Sequence, residues 1–199
     1  MLDDRPVGRE EAVPEAVELE QTRERMLRCA LALFTEHGYE GASIQMVASG
    51  MGFSKAAVSY HFRTKEDLLT AVVEPAFRDL DAFFEKVGTG PRGPARRSEA
   101  IAEYVTLMVK HRGLLAFLAK EGDREHPESL ARWPRVAEKV EQLFGGDRHD
   151  LSERLYFAAA IRGLATAPAK FPDVSDDDLR EHLLRATERM LTRPRRRSA

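Results

Sequence analysis

Apolar residues recur every three or four positions along most of this chain, and nowhere do they alternate in twos for the length of a strand. That spacing predicts helices from 65 to 84 or 87, over 95–109, 113–121, 134–144 and 150–167, and a last one from 176 to about 191. An earlier helix carries Met26, Leu27, Ala30, Leu33 and Phe34 on one side. The breaks fall where backbone chemistry demands them. Gly88, Gly90, Pro91, Gly93 and Pro94 make the clearest loop, Gly145 and Gly146 another, and Pro168 with Pro172 closes the helix before the last. Pro75 falls inside the long helix that starts at Lys65, where it removes one backbone hydrogen bond and predicts a kink. The fold class is therefore all-α, without an internal repeat.

Residues 43–69 carry the most local information. Ser43 is placed to cap a short helix over 44–49, Gly50 and Gly52 to turn the chain, and Ser54 to cap a second short helix reaching Tyr60. Thr64 caps the long helix, with Asp67 three residues on in the place of the usual capping-box Glu. Two short helices about a glycine turn, the second bearing exposed polar residues, form the plan of a helix-turn-helix reader. Ala56 and Ala57 are compact enough to let a backbone approach base edges, while Lys55, Ser59 and Tyr60 supply donors. Val58 and Phe62 read as core.

Net charge is −2, which by itself does not suggest a nucleic-acid partner, but its distribution does. Residues 1–20 hold seven acids against Arg5 and Arg9, whereas 21–66 hold six bases against four acids. The acidic start reads as a disordered extension that phosphate would repel, and it lacks the basic-then-apolar order of a signal peptide. No apolar run approaches the roughly 20 residues of a membrane span. The single cysteine, Cys29, reads as a small core residue. These features predict a cytoplasmic protein.

The run Gly52-Phe53-Ser54-Lys55-Ala56-Ala57-Val58-Ser59-Tyr60-His61-Phe62, followed by Lys65-Glu66-Asp67-Leu68-Leu69, resembles the DNA-binding signature of the TetR family of bacterial transcriptional regulators. The resemblance covers residues 22–73. It implies an N-terminal three-helix helix-turn-helix DNA-binding domain (21–66) after the acidic extension (1–20). It also implies a C-terminal helical ligand-binding and dimerisation domain (67–192), ahead of an arginine-rich tail (193–199). The implied DNA contacts are Ser43, Gln45, Ser54, Lys55, Ala56, Ser59, Tyr60, His61 and Lys65, the last meeting phosphate from the start of the long helix. Many members carry Tyr where this chain has Ser59, so the phosphate clamp differs in detail here.

The family pairs its last two helices with those of a second copy, which offers Leu155, Ala158, Ala159, Leu179, Leu183, Ala186 and Met190 as a homodimer face reading a palindromic operator. A small, largely apolar effector is expected in the C-terminal domain, with Phe77, Phe84, Tyr104, Met108, Phe117, Trp133 and Phe157 as candidate walls. Repression, relieved by that effector, is the expected output. Neither a cofactor nor a metal is expected: the carboxylates and imidazole of Asp123, Glu125 and His126 lack the spacing of the strong zinc motifs. An enzyme is not expected either, since residues 88–93 form a proline-broken linker instead of a phosphate-cradling loop. The alternative reading is a co-regulator whose helix-turn-helix docks a protein partner in place of operator DNA.

Overall fold

The computed structural model describes residues 15–88, 93–121, 127–145 and 151–191. Most of the acidic extension, the centre of the glycine-proline loop, residues 122–126 and the arginine-rich tail lie outside the described residues. The described chain is helical: α1 (Glu15–Gly41), α2 (Ile44–Met51), α3 (Lys55–His61), α4 (Lys65–Val87), α5 (Pro94–Lys110), α6 (Arg112–Glu121), α7 (Trp133–Gly145), α8 (Leu151–Thr166) and α9 (Asp176–Leu191), with short 3-10 turns at Glu128–Leu130 and Ala167–Lys170. None of these helices is long and apolar enough to cross a membrane.

Local hydrogen bonds set the helix starts. Ser43 Oγ accepts from Met46 N at 3.2 Å, and Ser54 Oγ from Ala57 N at 3.2 Å. At α4 the box closes both ways: Asp67 N donates to Thr64 Oγ1 and Thr64 N donates to Asp67 Oδ2. Each cap satisfies a backbone group that the helix itself leaves orphaned, an effect of about 1 kcal/mol. The α2–α3 turn rests on Gly52, at φ 70°, ψ 24°, whose N–H closes on the end of α2. Gly50 does not share that conformation. It stands in the helix, where an added Cβ would come within 3.1 Å of Cys29 Sγ, so its lack of a side chain serves packing.

Two apolar clusters share the described chain, and α4 threads both. The first joins Met26, Ala30 and Phe34 of α1, Val47 of α2, Val58 of α3 and Leu68, Leu69 and Val73 of α4. Leu114 and Phe117 of α6 and Leu130 complete it, so the helix-turn-helix is sealed by residues far downstream. The second joins Leu80 and Phe83 of α4, Tyr104 and Met108 of α5, Phe144 of α7, Phe157 and Ile161 of α8 and Leu179 of α9. Trp133 and Val136 touch both clusters. Each fully buried Leu or Phe contributes on the order of 2 kcal/mol, so α4 is anchored along its length.

A helix break also occurs where none was expected. α4 runs unbroken through Pro75, whereas α1 breaks at Gly38, with φ 73° and ψ 168°. The carbonyl of Thr35 and the N–H of Tyr39, partners in an uninterrupted helix, are instead taken by two neighbouring side chains of α6. Lys120 Nζ donates to Thr35 O at 2.7 Å, and Glu121, 5% exposed, accepts from Tyr39 N at 3.0 Å.

Candidate nucleic-acid interface and internal cavity

α3 is held from one side only. Val58 is fully buried and Phe62, at its C-cap, is 3% exposed, so the helix is pinned to the α1–α4 core by these two. The opposite side carries Lys55, Ala56 and Ala57, all exposed, and Tyr60, which is 82% exposed. An aromatic ring left in water on a rigid short helix has no role in packing. Ser59 and His61 are more mixed: both are half-buried, and the His61 and Tyr60 rings meet edge-on at 5.4 Å. Ser43 and Gln45 are exposed at the start of α2, where the Gln45 amide reaches Ser49 Oγ at 3.4 Å. The oxygens of Ser43 and Ser54 serve first as caps. Exposed Arg63, in the α3–α4 link, adds a cation that the motif does not single out.

Lys65 is placed differently from a free phosphate ligand. Its ammonium donates to Tyr39 O at 2.9 Å, lies 3.7 Å from the Glu40 carboxylate and sits 4.2 Å over the Tyr39 ring. It ties the end of α1 to the start of α4. Beside it, Tyr39 Oη donates to Glu66 Oε2 at 2.9 Å, and Ser129 N donates to Glu66 Oε1 at 3.0 Å. Burial raises the Glu66 pKa, but the Ser129 and Tyr39 hydrogen bonds outweigh it and hold the carboxyl below its ordinary value. Of Ser129 it is the backbone that serves, since Ser129 Oγ is enclosed without a partner among the described residues. Burial, then the Glu66 bond and charge, pushes the Tyr39 phenol well above its ordinary value and keeps it a donor. Tyr39, Lys65, Glu66, Lys120 and Glu121 thus join α6 to the two helices that flank the helix-turn-helix. Their spacing of up to 82 residues leaves no sequence motif to find.

The second apolar cluster opens into a cavity of about 200 Å³ among α5, α6, α7 and α8. Of the seven aromatic and sulfur candidates, Tyr104, Met108 and Trp133 line it. Phe77, Phe84, Phe117 and Phe157 are not among its walls; they are core. Phe117 packs on Phe34 with ring centroids 5.7 Å apart, Phe77 meets Trp133 at 6.2 Å, and Phe157 meets Phe144 at 6.4 Å. Phe84 is sandwiched between Phe83, at 5.5 Å, and the Lys139 ammonium, 4.4 Å from its ring centroid. Glu141 and Arg162 also line the cavity, and neither stood out in sequence. A signal existed: Trp133, Ala137 and Glu141 repeat every four residues along one face of α7.

The proposed dimer face divides. Leu155 is 61% exposed with Leu151 at 65% beside it, and Ala159 is exposed. Leu179, however, is 5% exposed within the chain's own core, and Leu183, half-buried, packs against the same cluster, because α9 lies along α5 and α8. The α9 stripe is thus used internally at its start, while Ala158 is half-buried and Ala186 exposed. The Met190 side chain lies outside the described residues, as do Asp123, Glu125 and His126. No group of three or more His, Cys, Asp or Glu side chains among the described residues is arranged to hold a metal.

Residues 26–72 match the model of the tetR family of bacterial regulatory proteins. The chain is 40% identical over 69 residues to the HTH-type transcriptional repressor AcnR of Corynebacterium diphtheriae, covering 34% of this chain and 36% of that one. It is 33% identical over 57 residues to the HTH-type transcriptional regulator AcrR of Shigella flexneri, covering 29% and 26%. The matched segment thus spans about a third or less of these curated relatives. The crystal structure of the TetR family transcriptional regulator PfmR from Thermus thermophilus superposes with a TM-score of 0.58 at 23% identity, over 88% of this chain and 98% of that one, and so shares the fold. Residues 26–72 thus carry a helix-turn-helix that matches the model of the tetR family of bacterial regulatory proteins, within an all-helical fold shared with a solved TetR family regulator.

Proposed function

We propose that this protein is a DNA-binding transcriptional regulator: a homodimeric cytoplasmic repressor that reads a palindromic operator through α3 and is released by a small, largely apolar ligand. The observation that carries the reading is the outer face of α3. Lys55, Ala56 and a Tyr60 ring 82% exposed stand on a helix fixed from behind by Val58 and Phe62. A major groove admits one such helix. Lys55 reaches a guanine edge or a phosphate, Ala56 a thymine methyl, and Tyr60 the backbone. Ser43 and Gln45 approach phosphate from α2. Lys65 acts chiefly by fixing the angle between α1 and α4, with its helix terminus, more than its ammonium, turned to phosphate.

One module of this size buries too little surface for tight specific binding, and a two-fold pair doubles the contact. The exposed Leu151–Leu155 edge of α8 supports such pairing. Control follows from connectivity. Leu118 and Ala119 of α6 line the cavity, and the next two residues, Lys120 and Glu121, clasp the break in α1. A ligand that shifts α6 changes the support under the helix-turn-helix, and only a ligand with different affinity for the two arrangements shifts their balance.

The test is selection of bound sequences from random duplex DNA, run in parallel with Lys55→Ala/Tyr60→Ala. Enrichment of a two-fold symmetric site that the double variant loses is the expected outcome. No enrichment by folded, ligand-free protein refutes the operator reading and turns the search to a protein partner.

A further inference from the structure

We propose that the cavity among α5–α8 takes a small uncharged ring compound bearing one hydrogen-bond-accepting oxygen, and that Tyr104 Oη donates to that oxygen. The assignment rests on the reading of this protein as a ligand-controlled regulator and gives that ligand a chemical class.

Three observations converge. The walls include Met108, Leu115, Trp133, Val136 and Ile161, which offer a ligand apolar contact beside the polar groups of Tyr104, Glu141, Arg162 and Thr166. Tyr104 is the polar exception at depth. It is 4% exposed, its ring is fixed against Phe83 at 6.0 Å and Phe144 at 5.9 Å, and its hydroxyl has no hydrogen-bond partner among the described residues. A buried hydroxyl without a partner is costly and uncommon. Nor is it sealed in protein, since Ser129 Oγ alone among the described side-chain atoms is enclosed and unpaired. The hydroxyl therefore faces the open volume. Burial raises its pKa far above the ordinary phenol value, so it stays protonated and can donate.

Charge at the site is balanced. Glu141 and Arg162 both line the cavity and both are exposed, with no side-chain hydrogen bond or ion pair of their own among the described residues. A charged ligand attracted by one is repelled by the other, and must shed hydration against apolar walls. An uncharged one is not penalised. Volume limits size: a cavity of about 150 Å³ holds benzene, so one of about 200 Å³ suits a single ring with a short substituent.

The experiment is calorimetric titration of the full chain with four single-ring probes: acetophenone, ethylbenzene, benzoate and benzylammonium. Acetophenone and ethylbenzene have nearly the same shape, and only the first carries an acceptor. Acetophenone is expected to bind roughly two- to twelvefold tighter than ethylbenzene, the range for one hydrogen bond, with both ions weaker than acetophenone. Tyr104→Phe is expected to bring acetophenone to the level of ethylbenzene and leave ethylbenzene unchanged. Equal binding of the ketone and hydrocarbon to the wild-type chain, which needs no substitution, overturns the proposal. So does tighter binding of either ion, an equal loss of both neutral probes in Tyr104→Phe, or no binding of any probe.

The titration contains no DNA, so the two readings fail separately. A chain that binds acetophenone but enriches no duplex sequence keeps the ligand class and loses the regulator. One that enriches an operator but binds none of the four probes loses the ligand class alone.

Discussion

Replacing Glu121 by alanine tests the break in α1. At Gly38 the backbone leaves helical geometry, which strips Tyr39 N–H of its partner in the helix. Glu121 supplies the replacement acceptor at 3.0 Å from a site 5% exposed, where water has little access. A hydrogen bond to a charged group contributes about 1.5–3 kcal/mol, a figure that includes leaving the donor unsatisfied. Against this stands relief from burying a carboxylate, which offsets part of the loss. The net expectation is a destabilisation of about 2 kcal/mol, or a fall in Tm of about 4–8 °C for a chain of this size. Glu121→Gln keeps an acceptor in place and loses only the charge, so it is expected to lie within about 1 kcal/mol of wild type. Lys120 is exposed, and Lys120→Ala should cost about 0.5 kcal/mol. Urea denaturation followed by circular dichroism makes the comparison, at one fixed chain concentration because self-association of the kind proposed makes apparent stability depend on concentration. Glu121→Ala equal to wild type, or no worse than Glu121→Gln, refutes the cap.

Three further outcomes follow from the structure. Lys55→Ala, at an exposed position, should leave stability within about 0.5 kcal/mol of wild type yet reduce the salt slope of duplex DNA binding by about 0.9 if Lys55 meets phosphate; an unchanged slope refutes that contact. Leu155→Arg should give a folded monomer by sedimentation, whereas Leu179→Ala should destabilise by about 2–5 kcal/mol through a core cavity, and a dimeric Leu155→Arg refutes the α8 face. Asp79, in contact with Lys110 at 2.6 Å and His111 at 2.7 Å, is raised by burial but held below its ordinary pKa by those two hydrogen bonds. Its contribution is therefore complete above the unfolded value near pH 4 and vanishes as pH falls through the lower folded value. Asp79→Asn should be less stable than wild type at pH 7, with the deficit closing below about pH 4; a constant deficit from pH 7 to 3 refutes the pair.

What the sequence determined by itself was everything that hydrogen bonds of three or four residues' reach can specify. Ser43, Ser54 and the Thr64–Asp67 box start α2, α3 and α4 where they stand, and the apolar spacing delimits the later helices to within three residues. The tetR-family motif is legible for the same reason: its residues lie within one local unit. Spacing also marks an apolar face, but not its neighbour. Leu155 and Leu179 read alike along the chain, and only the packing of α9 on α5 and α8 buries Leu179 while Leu155 stays exposed. Four of the seven candidate cavity residues went to core because periodicity carries no depth. Lys65 found backbone carbonyls 25 and 26 residues upstream before it found any phosphate. The break at Gly38, repaired from α6 by Lys120 and Glu121, belongs wholly to the tertiary structure, since a backbone group that loses its local partner must be satisfied by whatever the fold brings beside it.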